Sequence, residues 1–135
     1  MKNFKLNEKD ILSNQDWTFP TTTYYGPGRL NEIGKFCEEF DIKNPLIVTD
    51  SGSKDLPFIK KLIALLSKNN IKSDLFYNIS PNPRDDEISK GCDQFKNGSH
   101  DSIIAIGGGS AMDGGKSICL TVNSETPLWD FEFEQ

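Results

Sequence analysis

The sequence predicts an α/β domain built on a parallel β-sheet with helices on both faces. Short apolar runs, each long enough for one strand, alternate with amphipathic helical stretches along most of the 135 residues. This alternation is typical of β-α-β units, in which each helix returns the chain to the start of the next parallel strand. The length suits one domain with a sizeable core, and we find no sign of a second domain.

The N-terminal part is expected to contribute little to this sheet. Residues 1–16 are expected to be loosely ordered, and residues 17–135 to form the domain. The stretch from Trp17 to Tyr25 is rich in β-branched and aromatic residues, which predicts a strand or hairpin arm interrupted at Pro20. Such an arm could pair with a second copy, so a homodimer through this arm is one expectation.

The first helix and the first buried strand follow a turn at residues 26–28. Apolar residues then recur at three- and four-residue steps, which predicts an amphipathic helix. Its buried side would carry Leu30, Ile33, Cys37 and Phe40. A short apolar run at residues 46–50, directly after Pro45, predicts a buried strand of a parallel sheet.

A second helix is predicted at residues 57–69, with lysines on its outer side. Its expected inward residues are Ile59, Leu62, Ile63 and Leu66. The next strand is predicted at residues 73–79. It must end before Pro81 and Pro83, because proline cannot donate to a β-ladder.

The third helix is predicted at residues 85–97, with an apolar inner side. That side would carry Ile88, Cys92 and Phe95. Gly91 is expected to weaken it by about 1 kcal/mol relative to alanine. A strand at residues 103–106 and a helix at residues 111–122 complete the pattern, and Gly114 and Gly115 should loosen that last helix by about 1 kcal/mol each.

Three consecutive glycines between the last strand and the last helix are the strongest functional signal. Residues without a Cβ leave backbone N–H groups exposed at the positive end of the helix dipole, which is suited to hold a phosphate. The residues predicted near this anion are Gly107, Gly108, Gly109, Ser110, Asp113 and Lys116. The alternatives are that Ser110 and Asp113 form a capping box without a ligand, and that Lys116 faces solvent.

Two polar residues follow the other strands at the same expected edge of the sheet, where open α/β sheets bind ligands. Asp50 could accept hydrogen bonds from the ribose hydroxyls of an adenosine and would repel a 2′-phosphate, which favours NAD over NADP. Its alternative role is to form the turn ahead of Ser51 and Gly52. Asn82, between two prolines, could hydrogen-bond a ribose or nicotinamide, or serve as a plain turn residue.

Composition excludes several classes of function. The formal charge of −5 argues against a nucleic-acid surface, no run reaches the ~20 apolar residues of a membrane span, and the N-terminus lacks the apolar core of a secretory signal. The three widely spaced cysteines indicate buried thiols in a reducing cytoplasm. His100, the only histidine, is expected in a surface loop, so this chain alone predicts no metal site and no catalytic residue.

Together these residues resemble the amino-terminal part of the iron-dependent (group III) alcohol dehydrogenases. The resemblance covers about residues 17–130 and rests on Gly107-Gly-Gly-Ser-Ala-Met-Asp-x-x-Lys116, residues 46–50, Pro81-Asn-Pro83 and the opening Phe19-Pro-Thr…Tyr25-Gly-x-Gly28. It implies a Rossmann-like dinucleotide-binding domain. It further implies that the glycines and Ser110 hold the pyrophosphate, that Asp50 selects NAD, and that Asn82, Asp113 and Lys116 lie along the cofactor.

The same resemblance implies hydride transfer between the nicotinamide and an alcohol or aldehyde bound to Fe2+ or another divalent metal. In the family the ligands of that metal, an aspartate and three histidines, belong to an all-helical domain that this sequence lacks. An incomplete cofactor domain, inactive alone, is therefore expected. Arg84 stands where a threonine is usual and weakens the preference for NAD over NADP. The alternatives are a stand-alone nucleotide-binding module without catalysis and a self-associating fragment.

Overall fold

A three-stranded sheet organises the part of the chain that the computed structural model describes, residues 20–131. Its strands are β1 (Pro45–Asp50), β2 (Asp74–Ile79) and β3 (Ser102–Ala105). They are arranged in the order β2-β1-β3, and both pairings are parallel. The predicted parallel α/β architecture is therefore confirmed.

Among residues 20–131, four helices cover the two faces of this sheet. They are α1 (Ile33–Glu39), α2 (Pro57–Lys68), α3 (Asp85–Asn97) and α4 (Gly109–Thr121). Short 3₁₀ turns at Arg29–Glu32 and Leu128–Phe131 flank them. The bounds predicted for α2 and α4 agree with these to within two residues at each end, and the bounds of α3 are those predicted. The apolar stripe predicted from Leu30 to Phe40 spans the 3₁₀ turn and α1.

Strand β1 lies in the centre of the sheet, and its residues alternate between two apolar clusters. Leu46 and Val48 pack with α3 and α4 in a cluster that includes Ile118. Ile47 packs on the opposite face with α1 and α2, in a cluster that includes Leu62. Because both faces are covered, β1 needs an unbroken apolar run rather than an alternating one.

Residues 20–25 do not form the predicted strand, and they are irregular. The ring of Tyr24 instead packs on Phe36, with ring centroids 4.6 Å apart, and lies beneath the guanidinium of Arg29. The helical pattern also places two residues wrongly: Phe40 is 63% exposed just after α1 ends, and Ile63 is 38% exposed on α2. Residues 17–19 of the predicted arm, and the segment 1–16, lie outside the described residues.

Three glycines inside helices allow close packing, a role that helix propensity does not reveal. A Cβ atom at Gly115 would lie 2.5 Å from Ala105 Cβ, and one at Gly114 would lie 2.8 Å from Ile79 Cδ1. A Cβ atom at Gly91 would clash with Ile118, where α3 meets α4. These glycines therefore bring α4 close to the sheet and to α3.

His100 is buried, contrary to the surface position expected from its polar sequence neighbours. It is 6% exposed, and its Nδ1 lies 3.0 Å from the carbonyl oxygen of Asn44. Its Nε2 lies 3.3 Å from Asp74 Oδ2, at ion-pair distance but without hydrogen-bond alignment. The loop between α3 and β3 passes beneath the amino ends of the strands, and this path carries the ring into the interior.

The expectation of three buried thiols is also wrong. Cys37 is buried, but Cys92 is half-buried and Cys119 is exposed. Burial, and secondarily the charge of Asp101, raises the pKa of the Cys37 thiol.

Within residues 20–131, none of the helices is both long and apolar enough to cross a membrane.

Candidate functional site: a cleft at the carboxyl edge of the sheet

The loops that follow the three strands meet in a cleft with a volume of about 320 Å³. Its lining residues are Asp50, Ser51, Gly52, Pro81, Gly108, Gly109 and Ser110. The structure therefore brings together the predicted residues Asp50, Gly108, Gly109 and Ser110. This cleft lies at the carboxyl ends of the parallel strands, where open α/β sheets bind ligands.

Gly107 shapes the turn, and the two glycines that follow leave the cleft open. Gly107 has φ +140°, and a Cβ there would lie 2.9 Å from Ala111 Cβ and 3.2 Å from Asp50 Oδ2. At Gly108 and Gly109 a Cβ would have no atom within 4 Å among the described residues. The fold thus requires glycine at position 107, whereas glycine at positions 108 and 109 keeps space free for a ligand.

Helix α4 begins at this open space without a side-chain cap from the described residues. Its first internal backbone bond runs from Met112 N to Gly108 O, at 3.1 Å. The N–H groups of residues 109–111 therefore have no partner within the helix. N–H groups that have no partner within the helix, together with the positive end of the helix dipole, favour an anion at this place.

Thr49 supports the glycine turn through a hydrogen bond to the residue that precedes it. The sequence analysis did not identify Thr49 as a functional residue. Its side chain is fully buried, and its hydroxyl donates to the carbonyl oxygen of Ile106 at 2.7 Å. Ile106 directly precedes the glycine turn, and its N–H donates to Val48 O at 2.9 Å. The sequence signal that could have identified Thr49 is its hydroxyl within a run of apolar residues, because a buried hydroxyl needs a hydrogen-bond partner.

Asp50 performs the local role that was its alternative interpretation and also lines the cleft. Its Oδ1 accepts from the N–H of Gly52 at 3.0 Å, and its Oδ2 accepts from the hydroxyl of Ser53 at 2.8 Å. Each carboxylate oxygen has a further lone pair. Asp50 can therefore hold its own loop and still accept a hydrogen bond from a ligand hydroxyl.

The capping-box interpretation of Ser110 is wrong. Helix α4 begins one residue earlier, with Gly108 as its N-cap, so Ser110 lies inside the first turn. Its hydroxyl donates to the carbonyl oxygen of Pro81 at 2.6 Å, across the cleft wall. The sequence could not show this partner, which is 29 positions away.

The remaining predicted residues are not brought to the cleft lining. Asn82, Asp113 and Lys116 are exposed and lie outside the lining set, so their role toward a cofactor stays a prediction.

Arg84 makes a bidentate contact with Asp86, at 2.9 and 3.0 Å. The hydrogen bond to Asp86 holds the pKa of Arg84 above its ordinary value, so the guanidinium stays charged beside a carboxylate of opposite sign.

Glu87 anchors the loop between β2 and α3. Its Oε2 accepts from the backbone N–H groups of Ser80 and Arg84, at 3.2 and 3.1 Å. Burial alone would raise the pKa of Glu87, but these hydrogen bonds outweigh it and hold that pKa below its ordinary value. The loop carrying Pro81 is therefore fixed at both ends.

A larger cleft, of about 790 Å³, lies at the opposite edge of the sheet. Its lining includes Ser67, Asn70 and Gly98, which stand at the C-terminal ends of α2 and α3. The helix dipoles present their negative ends there, which disfavours an anionic ligand. The smaller cleft is therefore the better candidate for binding a phosphate.

The described residues do not fit a metal site. Between residues 20 and 131 there is no group of three or more histidine, cysteine, aspartate or glutamate side chains placed to hold an ion. The one histidine, His100, is buried against Asn44 at the amino ends of the strands. Chemistry at a metal is therefore not assigned to these residues.

The parallel sheet with helices on both faces, and the glycine turn at its carboxyl edge, define a Rossmann-like α/β domain. More specifically, the chain belongs to the iron-containing alcohol dehydrogenase family, whose sequence model matches residues 20–135.

Individual relatives agree with this membership. The chain is 29% identical to the 1,3-propanediol dehydrogenase of Klebsiella pneumoniae, over 86% of this chain and 30% of the relative. It is 33% identical to the NADH-dependent butanol dehydrogenase A of Clostridium acetobutylicum, over 85% of this chain and 30% of the relative. The chain thus spans about 30% of the length of these curated relatives.

A solved structure extends the comparison to the fold. Sulfoacetaldehyde reductase from Bifidobacterium kashiwanohense, determined in complex with NAD+, superimposes with a TM-score of 0.77. The two sequences are 26% identical, and the match covers 87% of this chain and 31% of the reductase.

Proposed function

We propose that this chain binds NAD in the cleft between Asp50 and the glycine turn. The observation that carries the proposal is the open space at Gly108 and Gly109, at the N-terminus of α4. An anionic pyrophosphate placed there would be held by the N–H groups of the first helical turn, which have no partner within the helix. The NADH-dependent butanol dehydrogenase and the reductase solved with NAD+ support the same ligand.

In this proposal Asp50 accepts hydrogen bonds from the hydroxyls of the adenosine ribose. Its carboxylate oxygens each keep a lone pair beyond those used by Gly52 and Ser53. Its negative charge would repel the 2′-phosphate of NADP, so NAD is the preferred form.

The activity proposed for the enzyme to which this domain contributes is the interconversion of an alcohol and an aldehyde. When bound, NAD+ accepts a hydride from the alcohol and NADH returns one to the aldehyde. The residues of this chain bind the cofactor and orient it at the edge of the sheet. Residues 20–131 provide no set of metal ligands, so the role proposed for them is to bind NAD and not to hold a metal.

Titration of the purified chain with NAD and with NADP, followed by amide NMR shifts, tests the proposal. We expect shifts centred on residues 107–110 and on Asp50, at lower concentrations of NAD than of NADP. Gly108→Val should abolish these NMR shifts, because its side chain would occupy the space proposed for the pyrophosphate. The chain should stay folded, because a Cβ at this position has no described atom within 4 Å.

Lys72→Ala, in the cleft at the amino ends of the strands, is the matched control and should bind as the wild type does. A folded wild-type chain that shows no shifts with either nucleotide would refute the proposal. Equal loss of binding in Gly108→Val and Lys72→Ala would place the nucleotide elsewhere.

A further inference from the structure

The hydroxyl of Ser110 has a hydrogen-bond partner within the protein. It lies 2.6 Å from the carbonyl oxygen of Pro81. A serine hydroxyl has a single hydrogen to donate, and a carbonyl oxygen can only accept. The hydrogen of Ser110 therefore belongs to Pro81, and none remains for a phosphate oxygen, which also accepts.

This bond joins two walls of the cleft. Pro81 belongs to the loop after β2, and Ser110 belongs to the first turn of α4. Both residues line the cleft together with Gly108 and Gly109. The bond thus sets the distance between the loop after β2 and the N–H groups at the start of α4.

The loop on the Pro81 side is rigid enough to transmit this constraint. Glu87 accepts from the N–H groups of Ser80 and Arg84, on either side of Pro81. The N–H of Ser51, in the loop after β1, donates to the carbonyl oxygen of Ile79 at 3.1 Å. One series of hydrogen bonds therefore connects all three loops that form the cleft.

We propose that Ser110 is a positioning residue, which latches the Pro81 loop to the glycine turn and does not donate to the phosphate. The phosphate then depends on the backbone N–H groups at the start of α4 rather than on the hydroxyl of Ser110. This inference rests on the proposed function only in naming NAD as the ligand, because the latch is a hydrogen bond within the protein.

Two substitutions at Ser110 test the latch in the free chain by amide hydrogen exchange. Ser110→Ala should speed exchange at the amides of Ser80 and Arg84 about fivefold, since one hydrogen bond of ordinary strength is lost. Ser110→Thr keeps a hydroxyl and should restore the slow exchange. Ser67→Ala, on α2 in the cleft at the amino ends of the strands, is the control and should leave these amides unchanged.

The same variants are then titrated with NAD. Ser110→Ala should weaken binding about fivefold, and Ser110→Thr should restore it. If Ser110→Ala weakens NAD binding but leaves exchange in the free chain unchanged, Ser110 contacts the ligand directly and the latch is refuted. If exchange responds as expected but the wild type binds no NAD, the latch stands and the proposed function fails.

Discussion

Replacement of Gly115 by alanine tests the close approach of α4 to the sheet. Alanine is the better helix former, and propensity alone predicts a gain in stability of about 1 kcal/mol. The added Cβ, however, would lie 2.5 Å from Ala105 Cβ, well inside the ~3.5–4.0 Å that suits two carbon atoms. Ala105 has no rotamer through which to move away, so α4 or β3 must shift.

The two effects oppose each other, and their magnitudes decide the sign. Overpacking in a core costs about 1–3 kcal/mol, and a contact between two Cβ atoms attached to regular backbone belongs in the upper part of that range. After the propensity gain is subtracted, we expect Gly115→Ala to lower the free energy of unfolding by about 1–2 kcal/mol. With a urea m-value of about 2 kcal/mol per M, the midpoint falls by about 0.5–1 M.

Urea denaturation followed by far-ultraviolet circular dichroism measures this midpoint. Gly109→Ala is the matched control on the same helix, because its Cβ meets no described atom within 4 Å, and its midpoint should not fall. In an Ala105→Gly background the clash is absent, so Gly115→Ala should cost less than in the wild type. A midpoint for Gly115→Ala above that of the wild type would refute the packing argument in favour of propensity.

Three other predictions follow from the site and the core. Asp50→Asn keeps an oxygen for the turn but removes the charge, so the ratio of NADP to NAD affinity should rise at least severalfold in fluorescence titrations; an unchanged ratio would exclude Asp50 as the selector. The folded-state pKa of Glu87 is lowered from its ordinary value of 4.5, so its stabilisation is complete above that value and is lost as the pH falls through the lower folded-state pKa. Glu87→Gln should therefore flatten the acid limb of a plot of stability against pH, and a limb as steep as that of the wild type would contradict this. Cys119 is exposed whereas Cys37 is buried with a raised pKa, so Cys119 should react much faster with a thiol reagent in the native state; equal rates would disprove the burial.

Local patterns in the sequence were sufficient for the order and bounds of most elements. Helix α3 has the predicted bounds, because the prolines at positions 81 and 83 exclude a continuing strand and Gly98 follows its last residue. The apolar run of β1 predicted a strand buried on both faces, and its central position confirms this. The spacing of apolar residues, and the prolines and glycines that end helices and strands, are properties of neighbouring residues. They can therefore be read without knowledge of the fold.

The same local reasoning failed where a distant partner determines the outcome. Tyr24 lies in a stretch of β-forming composition, yet its ring packs on Phe36 and the backbone is irregular. His100 lies among polar residues, yet it is buried against Asn44. In both cases a contact outside the local window overrides the composition, as tertiary packing commonly does.

The candidate site likewise has features that the sequence determined and features that only the tertiary structure decided. The sequence by itself determined that a glycine turn joins the last strand to the last helix, and that Asp50 ends a neighbouring strand. Only the tertiary structure decided that Gly107 is required by its backbone conformation, whereas Gly108 and Gly109 leave space for a ligand. It alone also assigned the hydroxyl of Ser110 to Pro81 rather than to a helix cap. The physical reason is that hydrogen-bond partners and free volume depend on which loops the parallel sheet brings together, and separation along the chain does not encode that.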